Sequence, residues 1–149
     1  MANVTDIDRG LKKFIRELQA AKTLEVVIGV HEGDTNGGMS IAQYAAYNEY
    51  GTKNTPSRPF MRESFDENSS RISKDIDTRY RQVQAGKLDI RSALSLVGLR
   101  HTKDIQKKIG SSMSPANAPA TIAMKGSDRT LIDTGAMINS IRHVVRAGK

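Results

Sequence analysis

Leu24-Glu25-Val26-Val27-Ile28-Gly29-Val30 is a β-branched run of strand length, and its setting decides the fold class. Upstream, Ile7, Leu11, Phe14, Ile15 and Leu18 recur at helical spacing. Residues 6–21 therefore read as an amphipathic helix, with Thr5 or Asp6 as N-cap and Gly10 as a weak point near its start. Downstream, His31 to Met39 is rich in Gly, Asp and Asn, which predicts a flexible loop or a wide hairpin. Ser40 with Gln43 three residues on has the capping-box arrangement, and the helix 41–50 that follows stops at Gly51.

Further out, two long helices dominate. Pro56 and Pro59 stiffen the stretch Thr52–Pro59, and Pro59 suits the first turn of a helix. Met61, Phe65, Ile72, Ile76, Tyr80 and Val83 mark the expected buried stripe of that helix, which Gly86 ends. Asp89 is the expected cap of a second one, with Ile90, Leu94, Val97, His101, Ile105 and Ile109 on its buried face and Gly110 just past its end. Residues 111–130 read as an irregular arm, Ser/Pro/Ala-rich to Thr121 and with a turn at Lys125–Asp128. Asp133 or Thr134 caps a short helical turn through Ser140, and Ile141 to Val145 reads as a last strand. The expectation is one α+β domain over residues 1–149: a small, mainly antiparallel sheet packed against two long helices, plus an N-terminal helix.

Composition excludes several kinds of chemistry. The 149 residues include no cysteine, so neither disulfides nor thiolate metal sites can form. His31, His101 and His143 are far apart in sequence, so no metal and no other cofactor is expected. Asp104 lies three residues from His101 and could orient it, but no nucleophile–base constellation appears and no catalytic residue is expected. The start MANVTDIDRG has no apolar core of a signal peptide, and no apolar run approaches the ~18 residues of a membrane span. A protein made in the cytosol, with no membrane partner, is expected. Hydrophobic residues make up 38% and aromatics 5%, a lean core of the kind that shares stability with neighbours in an assembly.

The formal net charge of +7 is uneven: residues 1–60 carry seven basic and seven acidic side chains, so the whole excess falls in 61–149. A basic half suits nucleic acid, a protein partner of opposite charge, or a solvated helix face. Three of the four tyrosines, Tyr44, Tyr47 and Tyr50, fall within seven residues. They read either as a core face with hydroxyls at water or as interface anchors.

Two motifs now stand out. One is Ile41-Ala42-Gln43-Tyr44-Ala45-Ala46-Tyr47-Asn48-Glu49-Tyr50-Gly51-Thr52 followed by Pro56-Ser57-Arg58-Pro59-Phe60-Met61-Arg62. The other is Leu131-Ile132-Asp133-Thr134-Gly135 with Ser140-Ile141. Together, in this order around two long helices, they resemble the tail-component family of HK97-like tailed bacteriophages, the neck or tail-completion proteins encoded between head and tail genes. The resemblance implies a structural virion protein: a homo-oligomeric ring, six- or twelve-fold, at the head–tail junction, with genomic DNA passing through its lumen without sequence recognition. Its neighbours would be a neck adaptor or stopper and tail terminator or tube proteins. A tail terminator, a minor tail or baseplate component and a standalone nonspecific nucleic-acid-binding protein are the alternatives.

On that reading Tyr47, Asn48, Glu49, Tyr50, Gly51, Thr52, Arg58, Pro59, Phe60, Asp133, Thr134 and Gly135 are candidate interface residues. Arg71, Arg79 and Arg81 are candidate DNA-channel residues. Glu49, at the end of its own helix where the dipole does not favour it, is expected to clasp Arg58 above Phe60. The loop 31–39 and the arm 111–121 are expected to reach adjacent subunits.

Overall fold

The computed structural model describes residues 8, 10–31, 33–132 and 134–148. Thr5, Asp6, Ile7 and Asp133 lie outside the described residues. The elements run α1 (Leu11–Ala21), β1 (Leu24–Val30), β2 (Thr35–Asn36), β3 (Met39–Ser40), α2 (Ile41–Tyr50), α3 (Phe60–Gln84), α4 (Ile90–Gly110), α5 (Pro119–Lys125), α6 (Ala136–Ser140) and β4 (Ile141–Ala147). The fold is α+β: α3 and α4 form a long antiparallel hairpin, and the antiparallel pair β1–β4 packs against it. Leu24 pairs with Ala147 and Val30 with Ile141, so the last strand in the sequence closes back on the first.

Each helix boundary has a local cause. α1 begins at Leu11, later than the periodicity predicts, because Gly10 takes a left-handed φ of 107°. Ser40 caps α2 by accepting from the Gln43 amide, but the expected box is only half made: the Gln43 side chain donates to the Tyr47 hydroxyl instead (2.6 Å). Gly51 ends α2 at φ 77°, and a Cβ there would lie 2.9 Å from the Ser57 amide nitrogen, so no other residue fits. Pro59 stands one place earlier than expected, as the N-cap of α3. Asp89 caps α4 through the Ser92 amide (2.9 Å), and the Glu17 carboxylate of α1 accepts from the Ile90 amide (2.8 Å). The glycine-rich loop after β1 is a small hairpin, β2–β3, and the arm contains α5, which the sequence pattern did not predict.

The core gathers Phe60, Ile105, Ile109, Met113, Leu131 and Met137 with parts of α2 and β4. Gly98 lets the sheet approach α4: a Cβ there would stand 2.8 Å from three His143 side-chain atoms. The stripe expected to be buried on α3 is only partly so. Val83 is buried, yet Phe65, Ile76 and Tyr80 are 60%, 50% and 43% exposed. The side of α3 that packs on α4 lies a third of a turn away, at Phe60, Ser64 and Asp75. Polar and charged side chains mediate much of that contact. Asp75 bonds Arg100 (3.1 Å) and lies 3.4 Å from Arg79, and Lys108 pairs with Glu63 and Glu67.

Candidate subunit interface

The first motif folds into a joint between α2 and α3. Pro59 has no side-chain acceptor for the free amides that open α3, and Glu49 supplies one from the preceding helix. Its carboxylate accepts from the Met61 amide (2.9 Å) and the Arg62 amide (3.2 Å), and Arg62 Nε joins it at 3.1 Å. The helix dipole that favours Glu49 is therefore that of α3, whose positive end it faces. The expected Glu49–Arg58 clasp is not formed. Arg62, four residues beyond Arg58, is the partner, and its guanidinium also lies over the Tyr50 ring, 5.4 Å from the centroid.

Arg58 is buried and turned the other way. Its backbone N–H donates to Asn48 O (2.6 Å), fixing the joint. Its side chain donates to Pro115 O (2.7 Å), Ala116 O (3.1 Å) and Asn117 Oδ1 (3.4 Å), so it holds the arm. Asn117 in turn donates to Arg129 O (3.0 Å), and the Met113 amide to Thr130 Oγ1 (3.1 Å), which closes the arm on itself. Phe60 sits beneath, fully buried.

The candidate interface residues thus divide. Asn48, Glu49, Arg58 and Phe60 are buried and bonded within the chain. Tyr47, Tyr50 and Thr52 are exposed around the same joint, whereas Tyr44 packs against the core. Of the second motif, Thr134 accepts from Asn36 Nδ2 of the hairpin (3.2 Å) and from the Ala136 amide (3.3 Å), while Gly135, at φ 78°, is the N-cap of α6. Thr134, Gly135, Tyr44 and Met39 border one crevice of about 280 Å³. The two motifs, almost 70 residues apart at their nearest ends, therefore meet beside α2.

No family model, no curated protein and no solved structure matches this chain.

The three candidate DNA-channel arginines do not share one face of α3. Arg71 pairs with Asp104 (2.6 Å), which raises the guanidinium's affinity for its proton, chiefly through that hydrogen bond. Arg79 is half-buried beside Asp75 and donates to Gln82 (3.1 Å). Of the three, only Arg81 is exposed without a salt bridge among the described residues, in a depression with Lys74 and Lys87 that Asp77 also lines. His101 and Asp104 do meet, Nδ1 to Oδ2 at 3.4 Å, but the carboxylate is shared with Arg71. Burial pushes His101 below its ordinary pKa, against the opposing pull of Asp104. Among the described residues no cluster of His, Asp and Glu could hold a metal ion, and no helix is long and apolar enough to cross a membrane.

Sequence reasoning missed Arg62, Asn117 and Thr130. Arg62 was legible in principle, since a cation in the first turn of a helix needs a carboxylate near it to offset the dipole. Asn117 and Thr130 act through backbone groups of the arm, which no side-chain pattern announces.

Proposed function

We propose that the chain is a structural subunit of a tailed-phage neck: a tail-completion protein that assembles as a homo-oligomeric ring at the head–tail junction of the virion, with DNA in the lumen. The observation that carries the reading is the motif pair, N-E-Y-G-T with P-x-R-P-F and L-I-D-T-G with S-I. Its support from geometry is that both halves serve structure. Glu49 caps a helix, Arg58 anchors an arm, Phe60 fills the core, and Tyr47, Tyr50 and Thr52 remain outside for a neighbour. Rings close through heterologous contacts between such surfaces. Arg81, with Lys74 and Lys87 in a depression where three cations outnumber the one acid, Asp77, supplies the sequence-independent, salt-sensitive contact to DNA.

Disruption of the gene tests this. Heads and separate tails of normal length, seen by electron microscopy, are the expected products. Tails of uncontrolled length would make the subunit a tail terminator instead. Tight binding of free DNA at physiological salt, with normal particles, would make it a standalone nucleic-acid-binding protein. In particles that do assemble, Arg81→Glu with Lys74→Glu should reduce DNA retention, and normal retention would move the basic depression away from the lumen.

A further inference from the structure

Leu11, Ile15 and Leu18 of α1 and Phe65, Ile76 and Tyr80 of α3 form an open apolar face. Beside it, between α3 and β1, runs a groove of about 310 Å³ whose floor is α4. The wall on the sheet side is a strand edge. Gly148 N–H donates to Thr23 O (2.8 Å), and these two residues continue the β1–β4 register by one step. Backbone bonds to β4 therefore fall on Glu25, Val27 and Gly29, while the N–H and C=O groups of Leu24, Val26, Ile28 and Val30 point the other way. The far edge of β4 agrees with this phase: its carbonyls at Ile141 and Val145 turn from β1 and accept from Gln106 (3.4 Å) and Arg91 (3.1 Å) of α4. On β1, no other backbone group of the described residues pairs with the outward ones. Such an edge is a template for one more strand.

The floor fits a strand too. Val97, His101 and Ile105 follow one another along α4 at about 6 Å, and alternate residues of a strand lie about 6.6 Å apart, so three side chains of one strand meet these three in turn. The middle position is polar. The His101 side chain is 10% exposed, and its Nδ1 lies 3.4 Å from Asp104 Oδ2. In the neutral ring the Nδ1 proton faces that carboxylate, which leaves Nε2 as an acceptor. Nε2 is buried in the groove floor and has no hydrogen-bond partner.

We propose that β1 accepts an extended segment of a partner protein as a third, antiparallel strand, apolar at alternate positions and with Ser or Thr at the position above His101. The occupant is a lone segment, because α3 closes the far side of the groove. Neither strand of a second copy serves. Two β1 edges paired antiparallel keep both sets of helices on one side of the sheet, so the second α4 would fall where α3 stands. The outer edge of β4 is engaged by Arg91 and Gln106. The inference needs only the edge and the floor and is independent of the virion reading.

The probe is an acetylated heptapeptide, Thr-Val-Gln-Thr-Gln-Val-Thr, carrying a fluorophore and followed by anisotropy with the full chain. Saturable binding is expected, and none up to about 1 mM overturns the proposal. In antiparallel pairing the residues whose side chains meet the floor are those whose N–H groups face β1. Methylating the backbone nitrogens of the two Val residues should therefore weaken binding at least about tenfold, and methylating those of the two Gln residues should not. Equal effects overturn the strand. Val26→Pro removes an edge donor and no bond to β4, so it should weaken binding similarly with an unchanged circular dichroism melt. Phe65→Gln, at an exposed position of the opposite wall, should weaken it at least about threefold, and unchanged binding there would put the peptide elsewhere. Val in place of the central Thr should cost about fivefold with the parent and nothing with His101→Leu; the same cost with both would overturn the contact to Nε2. Self-association of the chain that Val26→Pro abolishes would place a second copy on the edge and overturn the choice of partner.

Discussion

The α2–α3 joint and the open face of α1 and α3 are opposites in one small molecule. At the joint, polar residues are inside: Glu49, Arg58 and Asn48 are buried, each with named partners, around a fully enclosed Phe60. On the face, apolar residues are outside: Phe65, Ile76, Tyr80 and the α1 stripe meet solvent. The joint is complete in one chain, since every polar group it buries is answered locally. The face is incomplete in one chain. Its residues have the spacing of a buried stripe, but no described residue covers them. The contrast separates residues that specify the fold from residues that remain available to a partner.

The sharpest way to break this contrast is Phe60→Ala. Deleting a fully buried ring should cost about 3–5 kcal/mol, read as a lower denaturation midpoint with an unchanged m-value. Glu49→Ala comes next. It removes the cap of α3 and leaves Arg62 without its carboxylate, at about 2 kcal/mol. Arg58→Ala should cost a similar or smaller amount globally, but its signature is local: amide exchange across residues 113–130 should speed up while α4 stays protected. Little change in the arm would mean that Arg58 does not anchor it. On the open face, Phe65→Ser should change stability of the free chain by no more than about 0.5 kcal/mol, as for other exposed positions. A large loss there would mean that the face is internal after all.

His101 sharpens the comparison through pH. Its folded pKa lies below the ordinary value near 6.5, because burial disfavours the cation more than Asp104 and Asp75 favour it, while Arg71 and Arg100 add to the lowering. The unfolded chain then binds the proton first as pH falls. This contribution to stability is whole above about pH 6.5 and declines as pH drops below it. In urea melts, His101→Gln should lose less stability than the parent between pH 7.5 and pH 5.5; equal losses would show that the ring is not desolvated.

Most of the architecture was legible in the sequence. The β-branched run at 24–30, Ser40, Gly51, Asp89 and the periodicity of Val97 to Ile109 each stated a local preference that the fold obeys. The joint was half legible. The motif marked Glu49 and Arg58 as a linked pair, but the choice of partner was decided in three dimensions, by where the amides of α3 point. Short range in sequence favoured Arg58, whereas the open end of the next helix favoured Glu49 with Arg62. The α3 stripe misled for a different reason. Periodicity reports that a face avoids water, and says nothing about whether its cover belongs to the same chain. The arginines at 71, 79 and 81 are candidates for one DNA channel by charge, though helical geometry spreads them round α3 and two of them pair with acids.

The two carboxylates that come from outside the long helices have a consequence for how the molecule is put together. Glu49 closes the first turn of α3 from α2, and Glu17 reaches the first amide of α4 from α1. Cut out as a fragment, residues 59–110 would keep the length and pattern of a helical hairpin but lose both contributions, together with the sheet that covers α4. The N-terminal third of the chain thus completes the longest elements, and the starts of α3 and α4 depend on segments that come before them in the sequence.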